Sequence, residues 1–336
     1  MPGDLQMTDA LQGLGWSDFF AEAAEPFLRD VSAGSEPGRI ASVGRSSYQI
    51  WTEQGLEDAL LAGTLRQEAP GQQVPVIGDW VVAERLEETQ ALRIQQVLPR
   101  RTTFARAVHG GTAEQIIAAN VDVVFIVTTP DLDFDLPRLG RYVAAVQVSG
   151  AQPVVLLNKS DLVQDAAWYL EQVRRLGPDL PVHQVSAAHD GGLDTIRPYF
   201  TPGQTVALIG SSGVGKSTLT NRLLGQEVAS TGSVRETDQQ GRHTTTGRTL
   251  YRVPGGGLLI DNPGLRDIAV WDADSRSVNF DVLEELATKC RFRKCTHTTE
   301  PGCAVQRAVQ KGQLDAQVLT AFHEAQGQPV RRPKKR

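Results

Sequence analysis

The sequence predicts a multidomain protein: an N-terminal β-barrel of the OB type, a central α/β domain of the P-loop type, and a C-terminal α-helical zinc-binding domain. Three observations predict it. Short strand-like runs separated by turn signals fill the stretch from Gly38 to Arg106. From Glu114 onward strands alternate with helices around the glycine-rich Gly210–Thr218. All three cysteines fall between Cys290 and Cys303, beside a histidine. The expected boundaries are 1–35 for an N-terminal extension, 36–106 for the barrel, 107–275 for the α/β domain and 276–336 for the zinc domain with a basic tail.

The length of 336 residues suits two or three folding units. The first twenty residues contain Asp4, Asp9 and Asp18 but no Lys or Arg, so no secretory leader is expected. The longest apolar run, Val121 to Val127, is of strand length and too short for a bilayer. Three clustered cysteines make no disulfide framework, and the chain reads as cytoplasmic, with no membrane partner. The net charge of −5 hides an asymmetry. From Lys289 to Arg336 there are 11 Lys/Arg against three acids, a net of +8, which leaves −13 on the remainder. A basic end on an acidic body suggests one surface facing RNA or a membrane. A solubilising tail would account for Arg331–Arg336, but not for Lys289, Arg291, Arg293 and Lys294 among the cysteines.

In chain order, the apolar residues Leu11, Leu14, Trp16, Phe19 and Phe20 recur at roughly helical spacing and are expected to dock on a neighbour. The barrel strands are expected at Arg39–Val43, Ser47–Thr52, Leu60–Arg66, Trp80–Arg85 and Leu92–Val97. Such barrels often bind RNA through one face, although the strand pattern fits a structural or protein-binding barrel equally well. Arg100, Arg101 and Arg106 lean towards RNA. Strands are then expected at Val121–Thr128, Val154–Leu157 and Val182–Val185, with helices at Leu136–Val148 and Ala166–Leu176. Asp131, Asp133 and Asp135 are not a calcium loop, because Leu136 stands where its glycine must and Tyr142 where its glutamate must.

Gly210-Ser211-Ser212-Gly213-Val214-Gly215-Lys216-Ser217-Thr218 matches G-x-x-x-x-G-K-[ST], whose backbone N–H groups wrap a phosphate chain. It follows the strand-like Gln204–Ile209 and precedes the helix-like Leu219–Leu224. That context supports a nucleoside triphosphate site over a glycine-rich turn before an ordinary helix, because a helix N-terminus favours anions. Lys216 would reach the β- and γ-phosphates, and Ser217 would ligate Mg²⁺.

Asn158-Lys159-Ser160-Asp161, at a strand end, resembles the guanine-specificity motif of GTPases. A carboxylate at Asp161 accepts from guanine N1–H and the 2-amino group, a donor pair adenine lacks. Asn158 would help fix base and loop, and the Lys159 stem would cover one ring face. The tetrapeptide alone could be a helix-capping turn started by Ser160 or Asp161. Val185-Ser186-Ala187 resembles the companion loop whose backbone N–H meets guanine O6, a weak signal by itself. Ordinary GTPases place the phosphate loop first. Here 158–161 and 186–187 precede it, and Thr244-Thr245-Thr246 and Asp261-Asn262-Pro263-Gly264 follow, a circularly permuted order. Domain termini usually lie close together, which makes the permutation tolerable. Asp261 would hold Mg²⁺, one of the three threonines would add a contact to it, and the Gly264 N–H would meet the γ-phosphate. Leu265 stands where many GTPases orient water with glutamine, and His243 is the nearest substitute in sequence. Arg242, Arg248 and Arg266 are conceivable charge stabilisers.

Cys290, Cys295, His297 and Cys303 make a Cys₃His set, with the spacing of a closed structural Zn²⁺ site that leaves no position for activated water. Helix-like stretches at Ala304–Val309 and Leu314–His323 complete that unit.

With barrel, permuted motifs and cysteine knuckle in that order, the chain resembles the ribosome-small-subunit-dependent GTPase A family from about Gly38 to about His323. The resemblance rests on Asn158–Asp161 before Gly210–Thr218, on Gly241-Arg242-His243-Thr244-Thr245-Thr246, and on the Cys₃His set. It implies a factor that binds the 30S subunit and its 16S rRNA late in assembly, hydrolyses GTP when stimulated by the particle, and leaves. It also implies His243 as the catalytic residue beside Lys216. Asn262 replaces a more usual serine. Without repeats suggesting self-association, the chain is expected to be a monomer. The rival expectations are a nucleotide-gated RNA-binding scaffold, favoured by Leu265, a large-subunit factor and an ATPase.

Overall fold

The computed structural model describes residues 8–29, 34–44, 47–63, 65, 74–87, 89–107, 114–131, 134–211, 213–228 and 249–261. Of the C-terminal part it describes 286–287, 289–290, 292, 295–298, 300–311, 314 and 319. The chain divides into two compact units, Met1–Trp271 and Asp272–Arg336. Among the described residues no helix is long and apolar enough to cross a membrane.

The first unit opens with helices α1 (Asp9–Gly13) and α2 (Asp18–Arg29). Thr8 caps α1 by accepting the Leu11 N–H. Leu11, Leu14, Trp16 and Phe20 are buried, and Trp16 packs edge-on to Trp80 of the barrel at a centroid distance of 4.7 Å. Phe19, expected in the same apolar stripe, is 44% exposed because its position on α2 turns away from that contact.

The barrel comprises β1 (Ser35–Val43), β2 (Tyr48–Thr52), β3 (Gly55–Leu61), β4 (Trp80–Arg85) and β5 (Leu92–Val97). β1 pairs with both β2 and β4, β3 runs parallel to β5, and β4–β5 completes the ring 1-2-3-5-4-1. A closed ring leaves no edge to aggregate. Ile40, Tyr48, Ile50, Ala59, Val81, Ala83, Leu92 and Ile94 fill it. The third strand starts five residues before the expected Leu60–Arg66. The cause is the two-residue turn Glu53-Gln54, where Thr52 pairs with Gly55 and its hydroxyl accepts the Gln54 N–H at 3.1 Å. The turn fixes the register at once, and Leu60 ends half-exposed at 50%.

A hairpin that the sequence did not announce follows: β6 (Thr103–Ala107) against β7 (Glu114–Ala119). Then come β8 (Val123–Thr128), α3 (Leu136–Val148), β9 (Gln152–Leu157), α4 (Ala167–Arg174), β10 (Val182–Gln184), β11 (Thr205–Ile209), α5 (Lys216–Leu224), β12 (Thr249–Arg252) and β13 (Leu258–Asp261). The order across this sheet is β10-β9-β8-β11-β13-β12, parallel except for β12. Strand residues alternate between two cores, as a period of two requires. Val124, Ile126, Ala207 and Ile209 face α3 residues Leu139, Val143 and Val146. Val123, Phe125, Val127, Val206 and Leu208 face α5 residues Leu219 and Leu223.

One buried cation joins these parts. Arg39, 1% exposed, donates to the carbonyls of Leu14, Gly78 (3.3 Å) and Asn120 (2.8 Å). Burial lowers its pKa to about 10. Arg100, which the sequence suggested for RNA, is instead spent on structure. Its guanidinium forks onto the fully buried Asp79 at 2.7 and 2.6 Å. In the second unit, α6 (Ala304–Gln310) packs Val305 and Ala308 against Cys303, Leu314 and Leu319.

Candidate functional site

The chain runs outward from β8 through β9 to β10, returns to β11 on the other side of β8, and continues to β13. The strand order therefore reverses between β8 and β11, and open α/β sheets bind ligands in the crevice at such a point, beyond the strands' carboxyl ends. Every expected nucleotide segment within the described residues leaves a strand at that end. Asn158–Asp161 follows β9, Ser186–Ala187 follows β10, loop 210–215 follows β11, and Asp261 ends β13, where Ala207 pairs with Ile260.

Loop 210–215 turns from β11 into α5. Gly210 has φ +140°, and a Cβ there would sit 2.3 Å from the Val127 carbonyl oxygen. Gly215 has φ +98°, and its Cβ would sit 2.3 Å from Asn158 Nδ2. A side chain at 210 would meet the β8 backbone and one at 215 the Asn158 amide, and both positive φ values favour glycine. The Lys216 ammonium lies over the loop, donating to the carbonyls of Gly210 at 2.7 Å and Ser211 at 2.5 Å. Ser217 and Thr218 follow it in the first turn of α5, half-buried. Val214 is buried and packs with Leu219 in the core under the loop.

Asn158 ties the loops together. It is 1% exposed, its Nδ2 donates to the Val214 carbonyl at 2.8 Å, and its Oδ1 accepts the Ala187 N–H at 3.0 Å. Both polar ends of the side chain thus bond to protein, which ties the loops to one another. Ser160 fastens the same turn to the end of β10, donating its hydroxyl to the Val185 carbonyl at 2.9 Å. Lys159 takes the left-handed conformation, φ 56°, and the chain turns there to present Asp161. One oxygen of the Asp161 carboxylate accepts from the Ser186 hydroxyl, and the other lies 3.6 Å from His189 Nδ1. The Ser186 hydrogen bond, with the charges of His189 and Lys159 behind it, holds this carboxyl below the usual aspartate range.

Two participants were missed in the sequence. His189 joins the Asp161–Ser186 pair, and Arg222 of α5 donates to the carbonyls of Ala187 and Ala188, both at 3.1 Å. No motif singles out either, since His189 meets Asp161 and Arg222 meets Ala187 and Ala188 across long stretches of sequence. Ser212, His243, Thr244, Thr245, Thr246 and Gly264 lie outside the described residues, as do Arg242, Arg248, Leu265 and Arg266.

The second unit holds a separate cluster. The ligand atoms of Cys290, Cys295, His297 and Cys303 lie within 4.8 Å of one another. Cys290 Sγ to His297 Nδ1 is 3.6 Å, His297 Nδ1 to Cys303 Sγ 3.4 Å, and Cys290 Sγ to Cys303 Sγ 3.9 Å. A tetrahedral zinc with Zn–S of about 2.3 Å and Zn–N of about 2.0 Å has ligand–ligand edges of roughly 3.5–3.8 Å, so the donor set fits that ion. N–H groups of Ala304 and Gln306 point at Cys290 Sγ (3.3 Å) and Cys303 Sγ (3.4 Å), which suits thiolates. Glu300 accepts the N–H groups of Thr296 (2.7 Å) and Thr298 (2.9 Å), and so shapes the loop that holds His297 at φ 59°.

Comparison with known proteins bears on this geometry. The sequence model of the RsgA GTPase family matches residues 97–271. A relative from Opitutus terrae, named a small ribosomal subunit biogenesis GTPase, RsgA, is 44% identical over 94% of this chain and 89% of its own. One from Methanosarcina acetivorans with the same name is 45% identical over 85% of this chain and 77% of its own. In fold the chain is similar to the crystal structure of YjeQ from Thermotoga maritima, with a TM-score of 0.55 and 23% identity over 88% of this chain and all of that one. With half the chain matched by the family and nearly all of it by close relatives, the chain belongs to the RsgA GTPase family.

Proposed function

We propose that the chain hydrolyses GTP at the crevice between β8 and β11, and that the 30S subunit triggers the reaction. As a member of the RsgA GTPases it is a GTP hydrolase of small ribosomal subunit biogenesis. The proposal adds which residues do the work. The observation that carries it is Asn158, which binds the loops after β9, β10 and β11 into one unit. A phosphate-wrapping loop and a base-reading carboxylate are useful together only at a fixed separation, and Asn158 fixes it.

In this reading Asp161 selects guanine through N1–H and the 2-amino group, with the 186–188 backbone facing O6. Loop 210–215 and Lys216 hold the phosphates and offset the charge that develops on the transferred phosphoryl group. Ser217 and Asp261 would hold Mg²⁺, which neutralises phosphate charge when bound. They fit that role as oxygen ligands, a hydroxyl in the first turn of the helix after β11 and a carboxylate at the end of β13, the strand paired with β11. Lys159, Ser160, Ser211, Ser212, Gly213 and Thr218 complete the nucleotide site, one of Thr244, Thr245 and Thr246 joins the magnesium shell, and Gly264 meets the γ-phosphate. His243 positions the attacking water in place of the glutamine that Leu265 displaces. Cys290, Cys295, His297 and Cys303 hold one structural Zn²⁺.

The reading extends to domains at 36–106, 107–275 and 276–336, the middle one a circularly permuted GTPase. It further takes the protein as a cytoplasmic monomer that meets 16S rRNA through the barrel and the basic knuckle around Lys289. Leu265 favours a second reading, a nucleotide-gated RNA-binding scaffold in which hydrolysis is incidental. GTP turnover by the purified protein, alone and with isolated 30S or 50S subunits, decides between them. A large rise with 30S only is expected, and no rise with either particle would transfer the weight to the scaffold.

A further inference from the structure

We infer that Arg222 is a positioning residue for guanine recognition, holding the loop that reads the O6 edge of the base from the helix that carries Lys216. The inference rests on the guanine site proposed above and names a residue which that reading does not use.

Arg222 lies six residues after Lys216 on α5. Its Nε and a terminal nitrogen each donate at 3.1 Å, to the carbonyls of Ala187 and Ala188 respectively, and Nε also lies 3.2 Å from Asp190 Oδ1. Two consecutive carbonyls are therefore turned toward the same planar cation, which fixes the peptide between them. In a trans peptide the N–H lies opposite the C=O of the same unit. With the Ala187 carbonyl on Arg222, the Ala188 N–H faces away from it.

The backbone donors on either side of Ala188 are already occupied. The Ala187 N–H goes to Asn158 Oδ1, and the His189 N–H to the Ser186 carbonyl at 3.2 Å. The Ala188 N–H makes no hydrogen bond among the described residues, in an exposed position. Of the donors from Ser186 to His189 it is the one left for an acceptor on a ligand, and Arg222 sets its direction. Asp161 is held from the other side by Ser186 and by its own turn, and has no bond to Arg222. The two halves of base recognition share Asn158 but have different direct supports: the carboxylate that meets N1 and N2 is held by Ser186, and the direction of the O6 donor by Arg222.

The separation gives a test with two readouts. Competition against a fluorescent GDP on the full chain would compare GTP with ATP, with 6-thio-GTP (O6 replaced by a poor acceptor) and with ITP (2-amino group missing). In Arg222→Ala the preference for GTP over 6-thio-GTP should fall by about tenfold, the scale of one well-formed hydrogen bond. The preference for GTP over ITP should stay as in the wild type. Arg222→Lys, a point charge that reaches one carbonyl at a time, should give an intermediate value, and keeps the test open should the alanine variant not fold. If both preferences stay at wild-type values, or both collapse together, the positioning role is wrong while the guanine site stands. A wild type that binds ATP as tightly as GTP would overturn the guanine site, and this inference with it.

Discussion

Removing the Asn158 side chain tests whether this one amide holds the proposed nucleotide site together. Asn158→Ala deletes two hydrogen bonds and leaves behind the Val214 carbonyl and the Ala187 N–H, on residues 1% and 2% exposed. A buried polar group left without a partner costs about 1–3 kcal/mol, so the pair costs roughly 2–6 kcal/mol. That cost can surface in two places. If the loops stay put, folding stability carries all of it. If they separate and hydrate, stability is spared, and the nucleotide must reassemble them on binding. Urea denaturation and GDP titration measured on the same variant should therefore show losses that sum to about 2–6 kcal/mol, at 1.4 kcal/mol per tenfold change in affinity. Asn158→Asp should do no better, because it keeps an acceptor for Ala187 but turns a second acceptor on the Val214 carbonyl. The argument fails if Asn158→Ala lies within about 0.5 kcal/mol of wild type in both assays, the range of an ordinary surface change.

Arg39→Met strands the carbonyls of Leu14 and Asn120, while Gly78 keeps the Asn120 amide as a donor at 3.1 Å, and should cost the first unit about 2–6 kcal/mol in urea denaturation; a loss under 1 kcal/mol would mean that the node is ornamental. Asp161 is held below the usual carboxylate range by Ser186, so the preference for GDP over ADP is present above that depressed pKa and is lost only as pH falls through it. It should stay level from pH 8 to about pH 5, and Ser186→Ala should move the fall upward in pH; an unmoved profile refutes the coupling. Zinc should be found at one ion per chain, and chelation or Cys303→Ser should speed amide exchange in 295–310 while leaving β8–β13 protected. Equal exchange with and without metal would refute a structural ion.

How far the sequence could be read follows from where each determinant lies. The parallel strands and α3 were legible because each is a local signal: an apolar run, or a helical period opened by Asp135, which caps α3 by accepting the Arg138 N–H at 2.9 Å. The segments proposed for the nucleotide could be placed at strand ends because the chemistry expected of them demands particular residues at short spacing. The β6–β7 hairpin was not, since Thr103–Ala107 and Glu114–Ala119 carry neither a clean alternation nor an Asn-Gly turn. Arg100 misled because charge says nothing of its partner; Asp79 is 21 positions away and fully buried. Arg39 and Arg222 were invisible for the same reason, their acceptors being backbone carbonyls that any sequence supplies.

The permuted order also decides what Asp261 is attached to. β13 pairs with β12 in the register Thr249 to Asp261, and Thr249 pairs in turn with Ser42 of barrel strand β1. Beside that bridge the Trp51 indole donates to the Leu250 carbonyl at 3.3 Å, and Arg252 stacks over the same ring at 5.6 Å. A shift of Asp261 along β13 cannot be absorbed by bending one strand, because extended backbone paired on both sides is stiff. It must break the β12–β13 ladder or carry β12 with it, and the second course moves the Leu250 carbonyl against Trp51. The first strand pair of the barrel therefore lies one hydrogen-bonded strand from the carboxylate proposed for magnesium. In an order with the phosphate loop first, 158–187 would lie between Asp261 and whatever followed it. Here the chain reaches β12 and β13 only after the segments proposed for base and phosphates, which leaves those two strands to join the proposed nucleotide crevice to the barrel.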